Sequence, residues 1–160
     1  ANVLAANIAL SRGDADTAAP YLDQAEQLLG QSPAAEDVIE LKYRRSRLES
    51  LRGNADRAVG LAREAIEMIG GSSPTEEGLA FSALADALVL TGETHGADEA
   101  FRRAVQLLEG EGRWRDATTT CRSWARMLRQ MGREEQALDV LDRAAELAMR
   151  AAPADTRVEH

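Results

Sequence analysis

GNADRAVGLAREAIEMIG, residues 53–70, opens on a glycine, passes through a polar turn and then places small residues where helices usually carry large ones. Ala58, Ala62 and Ala65 are followed by Ile66 and Ile69, so the apolar stripe has helical spacing but a shallow profile. Two antiparallel helices joined by a tight turn approach closely only where side chains are short and the knobs of one fill the gaps of the other. Alanine is also the best helix former, so local propensity and close packing agree. The stretch reads as the second helix of a helical hairpin.

It recurs. GDADTAAPYLDQAEQLLG from Gly13, GETHGADEAFRRAVQLLEG from Gly92 and GREEQALDVLDRAAELAMR from Gly132 align with it, and the four leading glycines are spaced 40, 39 and 40 residues apart. One column holds Ala18, Ala58, Ala97 and Ala137, a second Leu22, Ala62, Phe101 and Leu141, and a third Ala25, Ala65, Ala104 and Ala144. Ahead of the glycines stand Ala6, Ser46, Ala85 and Ala125. A fixed period of this length marks stacked helical repeats.

These columns resemble the tetratricopeptide repeat (TPR), over essentially the whole chain. The resemblance implies an all-α fold: an α-solenoid of four helix-turn-helix repeats in a right-handed superhelix. The repeats are expected near residues 1–30, 33–70, 74–110 and 113–151, within one domain spanning 1–152. They are longer than the common repeat of about 34 residues. First helices are expected near 1–12, 33–52, 74–91 and 113–131, and second helices near 16–29, 55–69, 95–109 and 133–151. Ser73, Pro74 and Glu76 read as a capping box with proline at the first helical position, and Ser32–Pro33 as the same device. Pro20 is expected to bend its helix. Arg44 and Arg45 fall on the flank that carries Leu84 and Trp124 in later repeats, and their stems are expected to cover apolar surface while the heads reach water.

Composition narrows the function. Of the 160 residues 44% are hydrophobic but only 4% aromatic, and the formal net charge is −8. An acidic surface of this kind repels nucleic acid, so no direct nucleic-acid binding is expected. No apolar run approaches the roughly 18–20 residues that span a bilayer, which points to no membrane partner and a cytoplasmic location. One cysteine, Cys121, excludes an internal disulfide and suits a reducing compartment. The chain starts inside a helical pattern and ends RVEH, so it reads as a piece of a longer protein with a tail at 153–160 that carries the start of a purification tag.

Catalytic groups do not converge. His95 stands in a turn without His or Cys partners, so neither a zinc set nor a nucleophilic triad is spelled out. GGSS lacks the lysine of a phosphate-cradling loop. Cys121 shares the column of Phe81 and reads as a packed thiol, and Trp124, in the column of Leu84, as core. The acidic pairs Glu76–Glu77 and Glu134–Glu135 begin helices and complement their dipoles. The chain therefore reads as no enzyme, with no cofactor and no metal.

What remains is the surface lined by first helices. In the register of the resembled family, Val3, Tyr43, Ser82 and Arg122 face the groove, then Asn7, Arg47, Asp86 and Arg126, then Leu10, Ser50, Val89 and Arg129. Arg122, Arg126, Arg129 and Arg133 lie along one stripe of one helix. Either the stripe is a solvated face with Asp86 pairing one arginine, or it holds a carboxylate, for which a guanidinium fork is suited. The candidate groove is Arg122, Arg126, Arg129, Tyr43, Arg47, Ser82 and Asp86. Trp114 stands at its rim or, alternatively, packs on the preceding repeat. Asp86 departs from the basic clamp of chaperone-binding relatives. GRWRDATTTCRSWARMLRQMGREEQALDVLDRAAELA is most similar to the C-terminal TPR sensor regions of bacterial helix-turn-helix transcription regulators. The implied role is binding of a peptide or protein, with an acidic partner expected; a general scaffold without a DNA-binding module is the other reading. A homodimer through a terminal helix is expected, because a solenoid end leaves an apolar face, or alternatively the AAPADTR tail folds back over that face.

Overall fold

A computed structural model of the chain describes residues 2–153. Within them run α1 (Asn2–Ser11), α2 (Ala15–Leu28), α3 (Ala35–Leu51), α4 (Ala55–Ile69), α5 (Pro74–Thr91), α6 (Thr94–Gly110), α7 (Trp114–Gln130) and α8 (Glu134–Ala151). They form an all-α solenoid of antiparallel pairs, α1–α2 through α7–α8, each stacked on its neighbours in chain order. The tag reading and all of the expected tail after Pro153 lie outside the described residues.

The repeated glycine has a conformational cause. Gly13, Gly53, Gly92 and Gly132 all hold φ between +71° and +79°, the left-handed region that side chains disfavour. Each ends a first helix with the same pair of bonds. The glycine N–H donates three residues back, to Leu10, Ser50, Val89 or Arg129, and the next N–H donates to Ala9, Glu49, Leu88 or Leu128 at 2.9–3.1 Å. This is the Schellman closure, which satisfies carbonyls that the helix end would leave unpaired.

The small columns meet as their spacing requires. Ala18, Ala58, Ala97 and Ala137 are wholly buried, and so are Ala6, Ser46 and Ala85, with Ala125 nearly so. Ser46 stands where the other repeats have alanine; its hydroxyl donates to the Ala58 carbonyl across the hairpin at 2.7 Å, which makes burial of a polar group tolerable. Larger side chains fill the space between pairs: Leu22, Leu48, Phe101, Leu108 and Leu128 are the largest fully buried ones.

Helix starts correct part of the expectation. Ser73 does cap α5, accepting the Glu76 N–H at 3.4 Å, with Pro74 at the first helical position. Its reciprocal half is missing: the Glu76 carboxylate turns inward, and its Oε2 is buried without a partner. Ser32–Pro33 caps nothing. Helix α3 begins two residues later, behind Ala34, and has Glu36 and Asp37 in its first turn to complement the dipole instead. Asp14 caps α2 by accepting the Thr17 N–H at 3.0 Å, and hydrogen bonding by the Thr17 side chain together with that backbone bond holds its carboxyl below the usual range. Helix α2 runs on through Pro20. His95 lies inside the first turn of α6 rather than in a turn, 3.5 Å from Glu99.

Ion pairs join neighbouring helices. Arg45 does not simply reach water: it bridges Asp23 at 2.6 Å and Glu26 at 2.8 Å on α2. Arg44 is buried and paired with Glu40 one turn earlier at 2.6 Å. Lys42 meets Glu64, and Arg143 of α8 grips Glu109 of α6 with two nitrogens. Exposed pairs of this kind contribute at most about 1 kcal/mol each, so they set orientation more than stability.

Candidate functional site

First helices supply one continuous surface. A cavity of about 590 Å³ is lined by Leu10 and Ser11 of α1, Arg47 and Ser50 of α3, Asp86 and Val89 of α5, and Thr119, Arg122, Ser123 and Arg126 of α7. A smaller one of about 270 Å³ adjoins it, adding Asn7, Tyr43, Ser82 and Thr120. Helices α1 and α7 make no direct contact, yet both line these cavities. The stack therefore curves, and the first helices form the inner wall of a groove.

The groove is cationic at one end. Arg47, Arg122 and Arg126 line the larger cavity, and Asp86 is the only acidic residue among its lining groups. Among the described residues none of the three arginines has a carboxylate within 4.0 Å, and neither does Asp86 have a cation at that range. The ion pairs found involve other groups, such as Arg129 with Glu134 and Arg113 with Asp116. The reading in which Asp86 pairs with one arginine is thus not realised as a close ion pair. Longer-range attraction from Arg47 and Arg126 still acts on it. Burial prevails, and the Asp86 carboxyl is pushed up to about 6.

That shift has a measurable consequence. A raised carboxyl holds its proton in the folded protein at pH values where the unfolded chain has released it, so stability falls as pH rises between about 4 and 6. Above that window the charged Asp86 costs on the order of 1–3 kcal/mol. Asp86→Asn is expected to melt higher than the parent at pH 7.5, with the gap narrowing through pH 5 and closing only below about pH 4. A variant that melts lower at both pH values counts against the strained-carboxylate reading.

Two groups expected in the groove lie elsewhere. Arg129 does not line either groove cavity, although Gln130 beside it does; its side chain turns to Glu134 across the α7–α8 turn at 3.7 Å. Trp114 is not a rim aromatic. Its ring packs with Cys121, Leu147 and their neighbours, under the Arg150 guanidinium at 5.2 Å, on the side away from the groove. Tyr43 is a wall rather than a contact: only 3% of it is exposed, and burial holds its hydroxyl far above the usual range. The Ser82 hydroxyl is shared with Thr120 at 3.0 Å, which ties α5 to α7. Thr118, Thr119 and Thr120 each donate to the carbonyl four residues back, so Thr119, which lines both cavities, presents an acceptor.

The sequence reading passed over Asp98. This buried carboxylate on α6 accepts from the Trp124 indole N–H at 2.8 Å and from Arg102 at 3.0 Å. It shares a column with Ala19, Val59 and Leu138, and a lone acid in an apolar column was the available signal. Trp124 itself is half-buried, stacked on Phe101 with centroids 6.4 Å apart. Beside it, between α6 and α8, opens a cavity of about 640 Å³ away from the groove. Both of its arginines are already engaged, Arg102 with Asp98 and Arg143 with Glu109, so it offers no free cation.

Burial raises the Cys121 thiol to about 11, which leaves it protonated and unreactive at neutral pH. Among the described residues no group of three or more His, Cys, Asp or Glu is arranged to hold a metal, and no helix is long and apolar enough to cross a membrane.

Comparison with protein families matches residues 1–148 to the MalT-like TPR region. Comparison with curated proteins gives no match. Repeat families of this type are typically non-catalytic. Stacked helical pairs, a shared glycine closure and a match over nearly the whole described chain lead to one conclusion: the protein belongs to the MalT-like TPR region family.

Proposed function

We propose that the groove binds a carboxylate-bearing segment of a partner peptide or protein, and that the chain is the partner-sensing region of a cytoplasmic bacterial transcription regulator, with residues 1–152 acting as one unit. The observation that carries this reading is the trio Arg47, Arg122 and Arg126, which share one cavity without a close ion pair in a chain of net charge −8. Keeping like charges together is unfavourable by a few tenths of a kcal/mol per pair unless anions answer them. Arginine answers a carboxylate with two parallel hydrogen bonds. The hydroxyls of Ser11, Ser50 and Ser123 offer neutral partners nearby, and the Ser50 oxygen is buried without one. Asp86 sets the polarity, placing a ligand's hydrogen-bond donor beside it and the carboxylate toward α7.

A fluorescein-labelled oligoglutamate peptide provides the test, read by fluorescence anisotropy. Arg122→Ala combined with Arg126→Ala is expected to weaken binding about tenfold or more, as loss of two charge-assisted contacts of roughly 1 kcal/mol each requires. Arg57→Ala combined with Arg63→Ala, on the exposed face of α4, removes the same charge elsewhere and is expected to change binding little. Equal losses in the two variants, or unchanged affinity in the first, would overturn the assignment.

A further inference from the structure

The protons of the groove hydroxyls distinguish its two cavities. In the smaller one, Thr119 donates to the Arg115 carbonyl and Thr120 to the Asp116 carbonyl. With the Thr120 proton committed, the 3.0 Å bond between Ser82 and Thr120 has Ser82 as its donor. All three hydroxyls have thus spent their protons inside the protein, and only oxygen lone pairs remain. Asn7 adds a side-chain carbonyl oxygen that is buried without a partner, and Asp86 adds a carboxyl group.

Most cations of the smaller cavity are already answered. Arg44 is held by Glu40 at 2.6 Å and Arg113 by Asp116 at 2.7 Å. Arg47 lines both cavities, as Asp86 does, so the two mark the boundary between them. Arg122 and Arg126 line only the larger cavity. Acceptors therefore gather around a carboxyl at one end of the surface, and guanidinium donors gather at the adjoining end. Register sharpens the contrast. Asn7, Arg47, Asp86 and Arg126 form one column, and its single acid is flanked in repeat order by two arginines that attract it only from a distance.

We infer that the groove takes a zwitterionic peptide segment, in which a lysine ammonium enters the smaller cavity against Asp86 and Asn7 while a neighbouring carboxylate reaches Arg122 and Arg126 in the larger one. The inference rests on the carboxylate-binding reading above and adds the second charge that a purely acidic segment lacks. A primary ammonium carries three donors and no acceptor, which suits a cavity whose free groups are oxygens. It also gives Asp86 a partner for the charge that burial opposes. Selectivity then has a repulsive half: a second anion at the smaller cavity meets Asp86, whereas lysine beside glutamate satisfies both ends.

Two fluorescein-labelled peptides of equal length provide the test, EEKEE and the same peptide acetylated on its lysine, read by fluorescence anisotropy. Acetylation removes the ammonium charge and keeps the chain length. The parent is expected to bind EEKEE about tenfold more tightly than the acetylated form, the gain that one charge-assisted contact supplies. This comparison needs no substitution, so it stands whether or not a variant folds. In Asp86→Asn the preference is expected to vanish. The chain remains strongly acidic there, so any general attraction for lysine persists and only the local contact is lost. A parent without the preference, or a preference that survives in Asp86→Asn, would overturn the inference. Arg122→Ala combined with Arg126→Ala tells this failure from failure of the underlying reading. If that variant weakens both peptides while acetylation changes nothing, the groove holds carboxylates and the ammonium site is refuted; if it weakens neither, both readings are refuted.

Discussion

Phe101→Ala is expected to destabilise the protein by about 3–5 kcal/mol, the range for emptying an aromatic site in a packed core. Phe101 is fully buried and the largest side chain in that state. It stands in a column where the second repeat has Ala62, so it fills a gap between the third and fourth repeats that backbone approach leaves open. Its ring also supports Trp124, stacked at 6.4 Å with 14° between the planes. For a chain of this size a melting point roughly 10 °C lower follows. Leu90→Ala, at a position 49% exposed, is the comparison and is expected to change little. A loss below about 1 kcal/mol for Phe101→Ala would mean that the neighbouring repeats collapse into the space.

Gly78→Val is expected to be of similar severity for the opposite reason. Gly78 lies inside α5, where glycine is disfavoured relative to alanine by about 1 kcal/mol, and its φ is not left-handed, so the backbone does not require it. Space does. A Cβ there would stand 2.9 Å from Leu108 Cγ and 3.3 Å from Leu107 Cβ on α6, and Leu108 is itself fully buried. Alanine would gain helix propensity and lose about as much to overpacking, whereas valine adds two methyl groups that have nowhere to go, at about 3 kcal/mol or more. Urea melts of Gly78→Val with and without Leu108→Ala separate the causes. If crowding is responsible, the double variant loses less than the two single changes summed.

The fold was legible because its signal is periodic. Four glycines at near-constant spacing and columns of alanine need no long-range information, and the helices fall within a residue or two of where those columns place them. Side-chain partners were less legible, since they depend on which neighbour a group meets across a repeat boundary. Arg129 continues the helical stripe of Arg122 and Arg126 in sequence, but its side chain turns to Glu134 on the next helix instead of lining the groove. Trp114 is flanked by arginines that suggest a wet rim, yet the turn after α6 folds its ring inward beneath Arg150. Ser32–Pro33 spells a helix start, but local chemistry alone does not decide between that start and one two residues later. Asp86 carried no sequence sign of its strain. It is burial among the residues of α1, α3, α5 and α7 that line the two cavities, a matter of how the repeats stack, that raises its carboxyl.

The two indoles have a spectroscopic consequence. Trp124 donates to Asp98 across the boundary between α6 and α7, and Trp114 is held between α7 and the end of α8. Intrinsic tryptophan emission therefore reads only the C-terminal half of the solenoid, whereas far-ultraviolet ellipticity reads all of its helices. In a molecule whose repeats touch only their neighbours, unfolding can proceed from one end. The separation between the emission and ellipticity midpoints then gives the direction: emission changing late means that the chain unravels from α1, and emission changing early means that it unravels from α8.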